Sequence, residues 1–234
     1  MISKNLCFCK LFVAIPVLVA THVSLAAADE IQQRLQRSVA ILDKFNATST
    51  QDKRSQEMAG ADCVGVIPRF KEGAAVVGVG YGKGFISCRN GQDWSAPAAI
   101  TLEGGSLGVQ IGGQVVDVVI LSLDNDKRPK LLSDRFTIGT DASAAWGNGK
   151  SVHADPNAKI LFFGYTKGVF AGFDLDGASV KPDESTNKAL YGKAMTNREI
   201  VENSTTPELA QSLIAKLKSL GRPESAMTHA PSVK

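Results

Sequence analysis

Apolar residues recur at helical spacing near both ends of the chain and at strand spacing between them. Over Glu30–Phe45 the positions Ile31, Leu35, Val39, Leu42 and Phe45 fall on one face of a helix, with Arg34, Arg37, Asp43 and Lys44 elsewhere around it. Asn46–Gly60 is polar and predicts a loop or a second short helix. From Cys63 the pattern changes. Ala74–Gly82 is β-rich, and Gly84–Cys88 resumes after Lys83; Ile100–Leu102, Leu107–Ile111 and Val115–Leu123 read as further strands separated by Gly-Gly turns. Val115–Leu121 is dominated by β-branched residues, as a central strand would be. Arg135–Gly139 and Ala142–Trp146 continue the sheet, and Lys159–Tyr165 with Val169–Leu175 resemble the arms of a hairpin.

Helical spacing returns at the C-terminal end. Thr206 suits a cap and Pro207 the first helical position. Leu209, Leu213, Ile214, Leu217 and Leu220 form a stripe, and Gly221 with Pro223 stops the run. No long linker divides residues 30–221. The reading is one α+β domain with a mostly antiparallel β-sheet, sandwich or barrel-like, and helices near its N- and C-terminal ends. Its expected parts are a signal peptide at 1–28, a helical segment at 29–62, a β-rich core at 63–203, a helix at 204–221 and a flexible tail at 222–234.

The leader changes how composition is read. Met1–Lys10 carries two lysines, Leu11–Leu25 is mostly apolar but broken by Pro16, Thr21 and His22, and Ala26-Ala27-Ala28 supplies small residues. This is the layout of a secretory signal, with cleavage after Ala28 or Ala26; an uncleaved anchor is the alternative. Cys7 and Cys9 precede the apolar run, where a lipoprotein signal would place its cysteine after it. Without residues 1–28 the chain has 24 basic against 23 acidic residues, no surplus with which to release counterions from nucleic acid. Export, to the periplasm or beyond, is the expectation. Only Cys63 and Cys88 remain after cleavage; in an oxidising compartment they read as a disulfide, with two buried thiols as the alternative.

Several motifs invite chemistry and fall short of it. Gly78, Gly80, Gly82 and Gly84 precede strand-like Phe85–Cys88, whereas a dinucleotide site needs its glycines to open a helix, and no Gly-Lys-Ser/Thr is present. Glycine at every second residue instead bares one strand face for close packing. Gly104–Gly108 spells the G-x-S-x-G elbow, with Ser106, Asp141 and His153 as its conceivable triad, but the residues after Ser106 make a poor helix. Histidines and cysteines lack zinc spacing, and Asp124-Asn125-Asp126 and Asp174–Gly177 are incomplete calcium loops. The expectation is therefore no catalytic residue, no metal and no cofactor.

Basic residues border the glycine-rich strands. Arg69 and Lys71 precede the series, Lys83 sits within it and Arg89 follows Cys88; Lys127, Arg128 and Lys130 form a second group. Such cations suit phosphate headgroups, although an ordinary solvated surface gives the same composition. The N-terminal helix has two readings as well: lying on a membrane with Arg34, Arg37 and Lys44 snorkelling, or packing its stripe on the sheet.

Cys63–Gly192 resembles the SYLF family of lipid-binding domains, also described as yeast-type actin-binding domains. The resemblance rests on Val66-Ile67-Pro68, Gly73, Gly78–Gly84, Trp94–Pro97, Gly105–Gly112, Asp117-Val118-Val119, Ile138–Ser143, Lys167–Gly172 and Leu190-Tyr191-Gly192, in family order. It is closest in kind to a bacterial stand-alone form. The resemblance implies binding of phosphoinositides or other anionic lipids, with a basic amphipathic N-terminal segment implicated; here that segment is Glu30–Phe45. Actin binding, also known in the family, is not carried over to an exported chain, for which phosphatidylglycerol or cardiolipin is the more available lipid. The expected function is non-enzymatic recognition of an anionic phospholipid membrane. Lys71, Lys83 and Arg89, then Arg69, would contact headgroups, and Phe85 with the glycine-bared face would take acyl or packing contacts. The alternatives are an envelope protein-interaction module and a hydrolase using Ser106.

Overall fold

The structure, a computed structural model, describes residues 18–47, 53–74, 78–106, 112–138, 144–147, 152–153, 159–166 and 177–220. Two helices lead into the sheet, α1 (Leu18–Ala47) and α2 (Lys53–Gly60). Its first five strands are β1 (Cys63–Ala74), β2 (Gly78–Asn90), β3 (Asp93–Trp94), β4 (Ala98–Ser106) and β5 (Gly112–Ser122). After a one-turn helix, α3 (Arg128–Leu131), come β6 (Phe136–Thr137), β7 (Ala144–Gly147), β8 (Val152–His153), β9 (Ile160–Thr166) and β10 (Ser179–Pro182). Helices α4 (Glu184–Tyr191), α5 (Asn197–Asn203) and α6 (Gln211–Ser219) finish the described chain.

The strands run across one sheet in the order β6-β10-β4-β2-β1-β5-β9-β7-β8, with β3 paired to β2. Every described pairing is antiparallel except that of β7 with β9. The sheet curls into a half-barrel within a single α+β domain, as the alternation of apolar residues and glycines implies. As its composition predicts, β5 is interior, with β1 on one side and β9 on the other.

Alternation sorts the core into two layers. Ile67, Phe70, Ile86, Ile100, Leu102, Val118, Ile120 and Phe162 are buried together on one side, the inner side, with Leu131 of α3 and Ile200 and Val201 of α5. Val64, Val66, Phe85, Val119, Leu121 and Phe163 face outward and are buried with Ile31, Leu35, Leu42 and Phe45 of α1 and Leu213, Ile214 and Leu217 of α6. The ring of Phe45 meets that of Phe163 edge-on at 5.2 Å. Of the two readings of the N-terminal helix, packing on the sheet is the one realised: its apolar stripe is used inside the protein.

A bulge in β1 explains the glycines of β2. Val66 stands opposite Phe85 and Lys71 opposite Tyr81, so β1 carries one more residue than β2 over that stretch. The extra residue falls at Pro68-Arg69, where proline has no N–H for the ladder and Arg69 takes φ 54°. The Arg69 N–H leaves the ladder and donates to Asp117 Oδ1 at 2.9 Å. The bent strand brings Ile67 and Phe70 across the inner side of β2. A Cβ on Gly80 would lie 2.3 Å from Phe70 Cζ, one on Gly82 2.7 Å from Ile67 Cγ2, and one on Gly84 2.0 Å from the Val66 carbonyl oxygen. Of the acyl or packing contacts expected for the bared face, the structure shows packing, by the protein's own Ile67 and Phe70.

The structure departs from the sequence pattern in other places. Cys63–Ala74 is a full strand. The 63–203 core contains α3, α4 and α5. Pro207 precedes a 3₁₀ turn, Glu208–Ala210, and α6 starts only at Gln211. Helix α1 begins at Leu18, before the expected start and across both expected cleavage positions. The strands expected at Leu107–Ile111 and Val169–Leu175 lie outside the described residues.

Candidate functional site

Cys63 and Cys88 are register partners on β1 and β2 and form a disulfide. Their sequence separation of 25 makes the cross-link worth roughly 3–4 kcal/mol in the chain-entropy treatment. It ties the start of β1 to β2 beside Arg89, and that position decides what Arg89 does. The Arg89 guanidinium donates to the Ala61 carbonyl at 2.9 Å and the Ala59 carbonyl at 3.1 Å, and lies 4.5 Å from the Trp94 ring centre. It is buried at the C-terminal end of α2, where carbonyls lack helical partners. Arg89 is therefore a structural cation and not a surface one, contrary to expectation.

Lys83 and Phe85 are also drawn inward. Phe85 is 1% exposed, beneath Arg34 of α1, whose guanidinium carbon is 5.9 Å from the ring centre. Of the acyl or packing contacts expected at Phe85, the structure shows packing: α1 covers it. The Lys83 ammonium is 2.8 Å from Asp183 Oδ2. Asp183 caps α4, accepting from the Thr186 N–H at 3.2 Å and from the Ser185 and Thr186 hydroxyls at 2.7 Å each, with Arg34 Nη1 at 3.8 Å. Burial pushes the Asp183 carboxyl up, but the hydrogen bonds from Lys83, Thr186 and Ser185 outweigh it and hold the group below its usual value.

Beyond the edge of α1 the same side of the sheet is open. Along β2 the outward residues pass from buried Phe85 through half-exposed Lys83 to Tyr81, 48% exposed, and Val79, 67% exposed. On β1 the exposed Lys71 stands opposite Tyr81 on one side and Val115 of β5 on the other, and Gly73 stands opposite Val79. Val115 is 46% exposed. Among the described residues the exposed large hydrophobic side chains are these three, and all border Lys71 or Gly73. No ion pair among the described residues involves Lys71. Arg69, exposed at the bulge, flanks this face. At its margin Glu103, opposite Tyr81, is paired with Lys181.

The expected lipid residues thus separate. Arg69 and Lys71 share the open face, Lys83 stands at its border in an ion pair, and Arg89 and Phe85 are interior. Tyr81, Val79 and Val115 belong to the face and were not singled out from sequence, although alternation puts Tyr81 on the non-glycine side of β2. In the second basic group Arg128 is bound to Asp62, its Nε donating to Oδ2 at 2.9 Å. Ser106 closes β4 as a strand residue opposite Gly78, and Asp141 lies outside the described residues. No described helix is long and apolar enough to cross a membrane. A groove of about 500 Å³ beside α1 and residues 208–212 is lined by Gln32, Gln36, Glu208, Leu209 and Ser212, without a cation.

The site thus lies on a curled antiparallel sheet with glycine-bared strands on one side and α1 and α6 packed on the other. The family described as Ysc84, Las17-binding protein actin regulator, matches residues 103–220, and the chain belongs to that family. It is 27% identical over 175 residues to SH3 domain-containing YSC84-like protein 1 of Xenopus laevis, covering 70% of this chain and 52% of the relative. It is 28% identical over 136 residues to Protein YSC84 of Saccharomyces cerevisiae, covering 54% and 29%. LAS seventeen-binding protein 3 of the same yeast is 28% identical over 123 residues, covering 49% and 27%. The chain spans about half or less of the length of these curated relatives. No solved structure matches.

Proposed function

We propose that this protein is a non-enzymatic, exported module that docks onto anionic phospholipid membranes through the open end of the sheet's outer face. The observation that carries the proposal is the coincidence of the exposed large hydrophobics with a lysine that has no ion-pair partner among the described residues. Valine and tyrosine side chains on a sheet face suit the headgroup boundary, tyrosine keeping its hydroxyl hydrated while its ring is buried. Lys71 and Arg69 then meet phosphates, each near-surface cation contributing about 1 kcal/mol on an anionic leaflet. The leader-like residues 1–28 support export.

Co-sedimentation with phosphatidylcholine vesicles, with and without phosphatidylglycerol, tests the docking. Lys71→Glu is expected to weaken binding to the anionic vesicles by on the order of tenfold, and Tyr81→Ser to weaken binding to both. Equal partitioning to the two vesicle types, untouched by Lys71→Glu, overturns the electrostatic part. Fractionation with N-terminal sequencing of the mature protein tests export; a cytosolic chain that retains Met1 overturns it. A second reading, a protein partner on the same face, is favoured by the family's description as Las17-binding and actin-regulating. Pull-down from a detergent-cleared envelope extract that loses a partner with Tyr81→Ser would support it.

A further inference from the structure

Lys83 leaves β2 two residues from Tyr81, about 7 Å along the same side of the strand. Its ammonium is 2.8 Å from Asp183, and its side chain retains 29% of its exposure. Asp183 is itself 4% exposed and fixed by the Thr186 N–H, both neighbouring hydroxyls and the cap of α4, with Arg34, which also pairs with Glu30, on its other flank. We propose that Asp183 holds Lys83 in reserve: the carboxylate sets the charge of the docking face by withholding one cation, and Lys83 engages an anionic membrane only when that carboxylate is neutral. The proposal rests on the docking reading above.

The physical reason is competition. A headgroup phosphate approaching Lys83 must displace a carboxylate already in contact with it in a partly desolvated site, where the ion pair is stronger than at an open surface. Among the described residues Lys71 has no such competitor. Asp183→Asn keeps the size and the capping acceptor, since asparagine caps helices as well as aspartate does, and removes only the charge.

The test uses the full chain and phosphatidylcholine–phosphatidylglycerol vesicles. Lys83→Gln alone leaves the Asp183 carboxylate without its lysine and is expected to bind no more tightly than the wild type. Asp183→Asn is expected to bind about fivefold more tightly, and the double variant Asp183→Asn/Lys83→Gln to return to the wild-type value. A gain with Asp183→Asn that survives in the double variant overturns the proposal, as does the absence of any gain with Asp183→Asn. Amine-reactive labelling read by mass spectrometry gives a readout without membranes. Lys83 of the wild type is expected to react several-fold more slowly than Lys71 and to approach its rate in Asp183→Asn, or in Asp183→Ser should the first variant not fold. Equal rates in the wild type overturn the reserve role. Slow Lys83 labelling in a chain that ignores anionic vesicles would leave the ion pair standing and sink the docking reading instead.

Discussion

At the scale of single residues the side chains that matter most are the ones glycine lacks. On the inner side of β2, Gly84 has the Val66 carbonyl oxygen 2.0 Å and the Ile67 Cα 2.8 Å from where a Cβ would stand, so backbone and not a flexible side chain would have to move. Gly84→Ala should therefore cost about 3 kcal/mol or more, at or beyond the upper end of ordinary overpacking. Gly73, with nothing within 4 Å of its own Cβ position, should accept alanine within about 0.5 kcal/mol. Urea unfolding of the two variants decides: similar midpoints would mean that β1 does not fold over β2. The alternation of these glycines was readable from sequence as a face prepared for close packing. What packs there was not, because Ile67 and Phe70 reach it through a bulge that no two-residue pattern announces. Arg89 failed to read for a related reason: a lysine or arginine beside a strand looks the same in sequence whether solvent or the open end of a helix lies above it.

At the scale of elements, long periodic segments were legible and short capped ones were not. α1 and α6 carry enough apolar positions to show their stripes. α4 and α5, with 8 and 7 residues, do not. Their end signals were nonetheless present: Asp183 ahead of α4, Gly192 at φ 72° after it, and Thr196 with Glu199 forming a reciprocal capping box on α5. The Asp183 cap also ties α4 to α1 and β2, which makes the junction sensitive to acid. Its carboxyl is held below the usual value when folded, so its contribution is complete above the unfolded value of 3.8 and is lost as pH falls through the lower folded value. Below about pH 4 the wild type should lose melting temperature more steeply than Asp183→Asn, as followed by circular dichroism. Identical acid slopes would show that the carboxyl titrates alike in the folded and the unfolded chain and contributes no pH-dependent stability. Asp93 and Glu199, exposed and also held low by their hydrogen bonds, add a slope common to both proteins.

At the scale of the whole molecule, function depends on which part of the sheet the helices leave open, and that is a long-range outcome. Sequence alternation puts Phe85, Lys83, Tyr81 and Val79 on one side of β2, but only the placement of α1 and α6 buries the first and exposes the last. Charge is similarly local. With nearly balanced totals the chain has no global attraction to an anionic bilayer, so the face must bind by a few cations and a few apolar side chains together. Salt separates the two. Raising ionic strength from about 0.1 M to about 1 M shortens the screening length from roughly 10 Å to 3 Å and removes the share of Lys71 and Arg69 while leaving that of Val79, Tyr81 and Val115. Binding to anionic vesicles should then fall to the level seen on neutral ones and stop there, and Val79→Ser should lower that remainder. Lys218, on α6 and paired with Asp93 away from the open face, serves as the control, since its replacement by glutamine should change neither part. A sensitivity to Lys218 equal to that of Lys71 would mean that the molecule meets the membrane by its overall field, and the open end of the sheet would lose its special standing.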